Sequence, residues 1–248
     1  MSRREVEAWT PLGHALADVH AGDRSATLRV RSDVWEDEVV PAIDYYRPLD
    51  VELPVLERRA LSRCRGRVLD AGAGAGRHAL ELQARGLDVV AVDVSPEAVA
   101  VMRDRGVRDA RVTDVFDLVD ERFDTVLMLM HGLGIVGTLA HLDLFLRRVD
   151  ELLTPDGQLL ADSADLAVAV GRVAAATLAD ATSHGEVEFQ VTYRNLVGRP
   201  YPWLFVGPRV LADMAHRAGL ACDVLARGAG GGYLARITRP TPAGTLAR

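Results

Sequence analysis

The chain has 248 residues, a formal net charge of −6 and a hydrophobic content of 49%. This length suits one substantial α/β domain with a small elaboration, and the hydrophobic content excludes an intrinsically disordered chain. The negative net charge argues against broad nucleic-acid binding, and no apolar run reaches the roughly 18 residues of a membrane span. We therefore expect a small-molecule acceptor as the partner, with no nucleic acid and no membrane, and a monomer or homodimer.

The basic and sulfur-containing residues narrow the chemistry further. Lysine is absent, which excludes a lysine Schiff base and the lysine of a P-loop. Cys64 and Cys222 lack metal-ligand spacing, as do the histidines, so we expect no metal site. Two unpaired thiols and an N-terminus without an apolar signal core predict a cytoplasmic protein. The arginine-rich, lysine-free usage suggests a bacterial source with a GC-rich genome and a place in secondary metabolism.

Charge is distributed unevenly along the chain. Residues 67–165 hold 10 arginines and 18 acidic residues, whereas residues 166–248 hold 9 arginines and 5 acidic residues. This asymmetry has two interpretations: an ordinary solvated surface, or a basic C-terminal face that helps to hold an anionic acceptor.

Residues 1–65 predict an N-terminal helical lid segment rather than part of an alternating sheet. Capping and proline positions indicate three helices there, over Val6–His20, over Val34–Val40 and from Pro54 to about Cys64. An irregular segment, Asp44–Pro48, precedes the third.

From Arg67 onward strands and helices alternate, which predicts a parallel sheet covered by helices on both faces. The expected strands are Arg67–Ala71, Asp88–Asp93, Ala110–Asp114, Phe123–Met130 and Gln158–Asp165. The expected helices are Gly74–Arg85, Pro96–Arg105 and Leu139–Leu153.

The C-terminal third leaves this rhythm. A helix over Asp165–Ala181 precedes an alternating strand, Glu186–Arg194, whose expected hairpin partner is Trp203–Val206. A helix over Pro208–Ala218 and two strands, Ala221–Arg227 and Gly232–Thr238, complete the sheet. The fold class is therefore α/β, a Rossmann-like doubly wound and mostly parallel seven-stranded sheet. Its domain spans residues 66–240, with a hairpin inserted at about 182–207 and a frayed tail at 241–248.

The stretch VLDAGAGAGRH, Val68 to His78, places three glycines at alternate positions after a strand, where nucleotide-like cofactors bind in α/β sheets. In one register, Gly74-x-Gly76-x-x-Ala79 with Asp93 downstream matches the dinucleotide fingerprint and indicates an NAD(P)-dependent oxidoreductase. In the other, Asp70-x-Gly72-x-Gly74-x-Gly76, an acidic residue precedes strictly alternating glycines.

The second register resembles the first motif of class I S-adenosylmethionine-dependent methyltransferases, and Arg67–Asp165 follows the order of that family. The segment LMLMHGLGIVGT is similar to a small-molecule subgroup. The resemblance implies S-adenosyl-L-methionine as cofactor, S-adenosyl-L-homocysteine as product, and transfer to N, O or C of a small molecule. A cofactor-binding protein that regulates, or catalyses without methylating, remains an alternative.

Site residues follow from the same resemblance. Asp70 and the backbone of Gly72 and Gly74 would face the methionine and ribose parts, and Asp93, with Val94, the ribose hydroxyls. Asp114 would take the adenine amino group, or only cap its turn, with Val115 and Phe116 beside the ring. Met130 would lie near the sulfonium, and Tyr46 with Arg47 would hold the methionine carboxylate or pack on the sheet.

The chemistry of methyl transfer needs alignment more than a fixed catalytic residue, because the cofactor is already activated. His131 is the candidate catalytic residue, either as a general base or as a hydrogen-bonding substitute for an amide. The expected acceptor pocket also includes Asp162 or Asp165, which could equally cap a helix. Its remaining candidates are aromatic and could instead be core: Tyr45, Tyr193, Tyr201 and Trp203.

Overall fold

A computed structural model describes residues 4–47, 54–169 and 185–240 of the chain. The strands within these residues are β1 Arg4–Val6, β2 Thr27–Ser32, β3 Glu38–Pro41, β4 Arg67–Ala71, β5 Asp88–Asp93, β6 Asp109–Val112, β7 Phe123–Met128, β8 Leu153–Ala164, β9 Glu186–Tyr193, β10 Leu196–Gly198, β11 Tyr201–Leu204, β12 Ala221–Arg227 and β13 Gly232–Thr238. The α-helices are α1 Thr10–His20, α2 Val55–Leu61, α3 Arg77–Ala84, α4 Pro96–Asp104, α5 Leu139–Leu152, α6 Leu166–Ala169 and α7 Pro208–Arg217.

Seven strands form the central sheet in the order β12-β13-β8-β7-β4-β5-β6. The pairs from β8 to β6 are parallel, and β13 runs antiparallel to both β8 and β12. The predicted seven-stranded, mostly parallel sheet is confirmed. The chain leaves β4 toward β5 on one side and reaches β7 on the other, so the strand order reverses beside β4. Ligands of open α/β sheets bind at such a switch point.

Helices cover both faces of this sheet, as a doubly wound fold requires. On one face the buried side chains of α5 and α7, such as Phe145 and Leu211, pack in one cluster with Leu69 and Val126. On the other, α2, α3 and α4 pack in a second cluster that contains Leu82. The strands are therefore buried from both sides, which explains their nearly continuous apolar sequences.

A second, six-stranded sheet lies outside the central one, in the order β1-β10-β9-β2-β3 with β11 also paired to β9. The predicted hairpin is confirmed: β9 and β11 are antiparallel, with Trp203 opposite Val187. It does not stand alone, because β2 pairs with the other edge of β9 and places Val30 opposite Val191. The N-terminal segment and the hairpin thus form one sheet, which we call the roof.

The prediction of a helix over Val34–Val40 is wrong. Residues 38–41 form β3, which pairs antiparallel with β2. The Ser32 hydroxyl accepts hydrogen bonds from the backbone N–H of Val34, at 3.2 Å, and of Trp35, at 2.7 Å, and so turns the chain between the two strands. Such side-chain bonds compete with helix formation. The first predicted helix begins later than expected, at Thr10, because Arg4–Val6 pairs as β1 with β10.

The remaining boundaries move by a few residues. Helix α3 starts at Arg77 rather than Gly74, since Gly74 and Gly76 have positive φ angles of 55° and 73°. Of the helix expected over Asp165–Ala181, Leu166–Ala169 is seen, and residues 170–184 lie outside the described residues, as do residues 48–53 and the tail at 241–248. Among the described helices, none combines the length and apolar character needed to cross a bilayer.

Candidate functional site

One large cavity lies between the carboxyl ends of the central strands and the roof. Its floor is formed by the segments that follow β4, β5, β6 and β7, and its ceiling by roof side chains. Along β2, β3 and β9, side chains alternate between this cavity and the outer surface, as the pleat of a strand dictates. Leu28 and Val30 line the cavity, whereas Arg29 and Arg31 lie on the outer face.

The glycine loop enters the floor directly after β4. The N–H groups of Gly72 and Ala73 both bond the carbonyl of Val92, at 2.9 and 3.0 Å. A Cβ added to Gly74 would meet no atom within 4 Å, so the backbone there is open to the cavity that it lines. A Cβ on Gly76 would instead come within 2.8 Å of Val107, and this glycine serves the packing of α3. The loop therefore combines an open backbone with a tight turn into a helix.

Three aspartates stand at successive strand ends around this loop. Asp70 is buried, its Oδ2 atom has no hydrogen-bond partner, and burial raises its pKa. Asp93 accepts from Gly74 N–H at 2.8 Å and from Ser95 N–H at 2.9 Å; burial nevertheless raises its pKa. Asp114 accepts from Phe116 N–H at 3.0 Å, so it caps its turn while also lining the cavity. Together they present carboxylate oxygens to a ligand with several donors.

Sequence reasoning missed a buried charged group beside the loop. Arg77 lines the cavity and bonds Glu57 Oε2 at 3.2 Å and the carbonyl of Asp44 at 3.0 Å, while its buried Nε atom has no partner. His78 bonds the same Glu57 oxygen at 2.7 Å. Burial acts to raise the pKa of Glu57, but His78 and Arg77 lower it overall. Arg77 and His78 directly follow Gly76, and that position at a cofactor loop was the available signal.

His131 follows β7 in an unusual backbone conformation. Met130 and His131 have consecutive positive φ angles of 64° and 58°, which are rare for residues other than glycine. Asp162 lies beneath this turn and accepts from Gly132 N–H at 3.0 Å. Burial raises the pKa of Asp162, although His131 and the backbone donors oppose this. Asp162 is thus a support for the His131 turn and does not line the cavity as the sequence suggested.

Most of the sequence-predicted residues lie together at this cavity. Its lining includes Tyr45, Asp70, Gly72, Gly74, Asp93, Val94, Asp114, Val115, Met130, His131, Tyr201 and Trp203. Their roles toward a ligand stay predictions, because position alone does not assign them.

Two residues predicted for the cofactor carboxylate lie off the cavity lining. The Tyr46 hydroxyl is hydrogen-bonded to His20 Nδ1 at 2.8 Å, and its ring lies 4.0 Å from the Arg105 guanidinium. Arg47 pairs with Asp44, three residues before it, and its side chain is 58% exposed. Both side chains are occupied by these contacts, and among the described residues Arg77 is the arginine that lines the cavity.

Three further candidates also lie away from the lining. Phe116 packs edge-on against Phe145 in the main core, at 5.6 Å between ring centres. Asp165 accepts from Ala167 N–H at 3.1 Å and caps the start of α6. The Tyr193 hydroxyl donates to Asp18 Oδ2 at 2.6 Å. In each case the observed contact fits the structural interpretation of the residue, capping or core packing, rather than a role in the acceptor or cofactor pocket.

The roof supplies aromatic side chains that the sequence only partly revealed. Trp9, Phe189 and Phe205 line the cavity together with Tyr201 and Trp203. We call these five residues the aromatic wall. Among the described residues, no group of three or more His, Cys, Asp or Glu side chains is placed to hold a metal ion.

The cavity lies at the switch point of a parallel sheet, which is where α/β proteins of this class bind nucleotide-like cofactors. Residues 69–161 match the family described as Methyltransferase domain. A solved S-adenosylmethionine-dependent methyltransferase from Bacteroides fragilis, in complex with S-adenosyl-L-homocysteine, is 37% identical with a TM-score of 0.85. That match covers 97% of this chain and 100% of the other. The chain therefore belongs to the S-adenosylmethionine-dependent methyltransferases.

Two further similarities are weaker, one because it covers a shorter part of the chain and the other because its sequence identity is lower. The ubiquinone biosynthesis O-methyltransferase of Azorhizobium caulinodans is 38% identical over 109 residues, which are 41% of this chain. The chain spans 42% of the length of that curated relative. The CcbJ methyltransferase from Streptomyces caelestis is 18% identical, covers 94% of this chain and has a TM-score of 0.62, which shows a shared fold. The family decides between the two registers of the glycine loop in favour of the one that begins at Asp70.

Proposed function

We propose that the chain transfers a methyl group from S-adenosylmethionine to a small-molecule acceptor bound between the sheet and the roof. The observation that carries the proposal is the buried Oδ2 atom of Asp70, which has no partner and belongs to a residue that lines the cavity together with the open backbone of Gly74. A buried carboxylate oxygen without a donor is unfavourable. The ammonium group of the cofactor's methionine part is a hydrogen-bond donor whose positive charge is opposite to that of the carboxylate.

The other strand ends divide the rest of the cofactor. Asp93 has acceptor capacity left after its two backbone bonds, because a carboxylate offers about four lone-pair sites, and would take the ribose hydroxyls. Asp114 would accept from the adenine amino group, with Val115 beside the ring. Val94 and Met130, which also line the cavity, would contact the ribose and the sulfur end.

We assign to Arg77 the role that was predicted for Arg47, contact with the carboxylate of the methionine part. Its guanidinium lines the cavity, and its Nε–H is buried without an acceptor. The carboxylate of the methionine part would satisfy that donor with a charge-assisted hydrogen bond. Glu57 balances the arginine charge from behind and keeps the guanidinium in place.

When bound, S-adenosylmethionine supplies an activated methyl group on a positively charged sulfur. The residues of this chain need only align the acceptor and exclude water, and such positioning reaches effective molarities on the order of 10⁵–10⁸ M in well-oriented reactions. His131, fixed by the turn above Asp162, would hydrogen-bond the acceptor atom or take the proton that this atom releases.

The test is calorimetry with S-adenosylmethionine, S-adenosylhomocysteine, NADH and NADPH, followed by an assay for acceptor-dependent release of S-adenosylhomocysteine. We expect the two adenosyl compounds to bind with micromolar affinity and the nicotinamide cofactors not to bind. Binding of a nicotinamide cofactor alone would overturn the proposal. Adenosyl binding without methyl transfer to any acceptor in a broad panel would favour a regulatory or non-methylating protein.

His131→Asn separates the two roles of the histidine. Asparagine keeps a hydrogen-bonding side chain and tolerates the left-handed backbone, but it cannot act as a base. If His131 is a general base, turnover should fall by about 10²–10⁴-fold while S-adenosylhomocysteine affinity stays unchanged. Retained turnover would assign it the role of an amide substitute.

The cellular compartment is inferred from the state of the cysteines. Cys64 and Cys222 are both free thiols, which supports a reducing compartment such as the bacterial cytoplasm. We keep the expectation of a monomer or homodimer and of an acceptor drawn from secondary metabolism.

A further inference from the structure

The aromatic wall concentrates a scarce residue type on one side of the cavity. Aromatic side chains make up 5% of the chain. All three tryptophans nevertheless lie in or against the aromatic wall. Trp9 and Trp203 belong to the wall, and Trp35 packs against its member Phe189. The wall is assembled from separate parts of the chain, since Trp9 directly precedes α1, Phe189 lies on β9, and Tyr201, Trp203 and Phe205 lie on or just after β11.

The rings hold one another in fixed orientations. Trp9 contacts Tyr201 and Trp203, with ring centres 4.4 and 5.6 Å apart. Trp35 lies nearly parallel to Phe189, at 6.0 Å, and edge-on to Phe205, at 5.4 Å. These are favourable aromatic geometries, so the wall is organised before any ligand arrives. Its rings remain only half-buried and present apolar faces to the cavity.

The charges around the wall disfavour an anionic occupant. Asp70, Arg77, His78, Asp93 and Asp114 belong to the cofactor side of the cavity. Among the described residues, Glu38 is the charged residue that lines the roof side, and it is exposed. A carboxylate there disfavours a second negative charge nearby.

The arginines that could have held an anion are elsewhere. None of the arginines in residues 185–240 lines the cavity. Arg194 lies on the outer face of the roof and pairs with Asp18 and Asp23. Within residues 185–240 the excess of arginine therefore lies away from the cavity, and these residues give no support to an anionic acceptor.

We infer that the methyl acceptor is a planar, uncharged aromatic or heteroaromatic molecule that carries a hydroxyl or amino group. The ring would lie against the aromatic wall, with its nucleophilic atom toward His131. The ring of His131 lies 5.6 Å from that of Phe205, so the wall and the candidate catalytic residue are adjacent. A hydroxyl or amino hydrogen elsewhere on the acceptor could donate to Glu38. This inference rests on the proposed function.

The experiment compares three probes of similar size by calorimetry at neutral pH, in the presence of saturating S-adenosylhomocysteine. Naphthol is aromatic and uncharged, decahydronaphthol is its saturated counterpart, and hydroxynaphthoate adds a negative charge. We expect naphthol to bind about tenfold more tightly than decahydronaphthol, as one or two aromatic contacts would produce. Hydroxynaphthoate should bind most weakly, and Glu38→Gln should improve its binding.

A matched pair of variants ties the preference to the wall. Phe205→Leu should remove most of the naphthol preference and leave S-adenosylhomocysteine binding intact. Phe123→Leu, the same change at the start of β7, should keep the preference. Equal affinity for naphthol and decahydronaphthol, or binding of neither, in a protein that binds S-adenosylhomocysteine would overturn the aromatic acceptor alone. Failure to bind S-adenosylhomocysteine would instead overturn the proposed function.

Discussion

Asp93 joins the glycine loop to the start of α4 with a single carboxylate. One oxygen accepts from Gly74 N–H and the other from Ser95 N–H, so the loop and the helix are fixed relative to each other. The proposed ribose contacts would use the lone pairs that remain. The residue therefore organises the floor of the cavity before it binds anything.

Asp93→Ala should weaken S-adenosylhomocysteine binding by about 1.5–3 kcal/mol, the usual range for lost hydrogen bonds to a charged group. Calorimetry measures this directly. Asp88→Asn is the matched control, because Asp88 begins the same strand at the opposite end and pairs at the surface with Arg67. Unchanged affinity in Asp93→Ala would remove Asp93 from the cofactor site.

Tyr193 illustrates the opposite case, a residue predicted for the acceptor pocket that the structure places in a packing role. Its hydroxyl donates to Asp18, and burial with this bond raises its pKa to about 12. Tyr193→Phe should lower the free energy of unfolding by about 0.5–1.5 kcal/mol, the value of one such bond. Denaturant titration should show this loss. Methyl transfer and cofactor affinity should not change, and a large fall in turnover would return Tyr193 to the pocket.

Four of the predicted residues that line the cavity, Asp70, Asp93, Asp114 and His131, lie at or just beyond the carboxyl ends of parallel strands. The resemblance to the methyltransferase motifs predicted them, and they come together because the carboxyl ends of parallel strands meet at one edge. Glu57 and Trp9 could not be found in this way. Glu57 reaches the site only through α2, and Trp9 only through a roof that is built from distant parts of the chain.

At the scale of elements, the central sheet was predictable, whereas of the roof the sequence predicted the β9–β11 hairpin alone. The strands and helices after Arg67 alternate in sequence, so local periodicity carries the topology. The roof depends on the pairing of β2 with β9, for example Arg29 with Thr192. No local pattern reports a pairing between segments so far apart, and the isolated β2–β3 stretch was consequently misassigned as helical in part.

The roof makes a close contact with the turn after β7. Gly134 lies beneath the Trp203 indole, and a Cβ there would come within 2.0 Å of its Nε1 atom. A glycine is needed here for lack of space and not for its backbone conformation, because its φ angle is one that other residues also adopt. The aromatic wall therefore depends on a residue that belongs to a different sheet layer.

Gly134→Ala should push the indole from its place and lower the free energy of unfolding by about 1–3 kcal/mol, as overpacking does. Naphthol affinity should fall, whereas S-adenosylhomocysteine affinity should persist because the glycine loop is untouched. Tryptophan fluorescence, denaturant titration and calorimetry measure the three effects. Combining Gly134→Ala with Trp203→Leu should cost less than the sum of the single changes. Strict additivity would show that the two residues do not conflict.

At the scale of the whole molecule, three buried carboxyl groups link the stability of the fold to pH and to the binding of the cofactor. Burial raises the pKa values of Asp70, Asp93 and Asp162 above the ordinary range. Such a group binds its proton more readily in the folded than in the unfolded chain. The contribution of these three groups to the stability of the ligand-free protein should therefore fall as pH rises from about 4, the ordinary aspartate range, through the raised values. Cofactor binding would offset this loss at neutral pH.

Asp70→Asn isolates that balance. The amide carries no charge to bury, so the ligand-free variant should be more stable than the parent protein at pH 7, by about 0.5–2 kcal/mol. It should also lose most of the rise in melting temperature that S-adenosylhomocysteine produces. Asp124→Asn serves as the counterpart with the opposite sign. Hydrogen bonds from Arg67 N–H and the Thr154 hydroxyl lower the pKa of Asp124. Its carboxylate therefore stabilises the fold at pH values above the ordinary aspartate pKa, and Asp124→Asn should have a lower melting temperature at pH 7. If Asp70→Asn also melted earlier and kept its response to S-adenosylhomocysteine, the charge of Asp70 would belong to the fold and not to the cofactor.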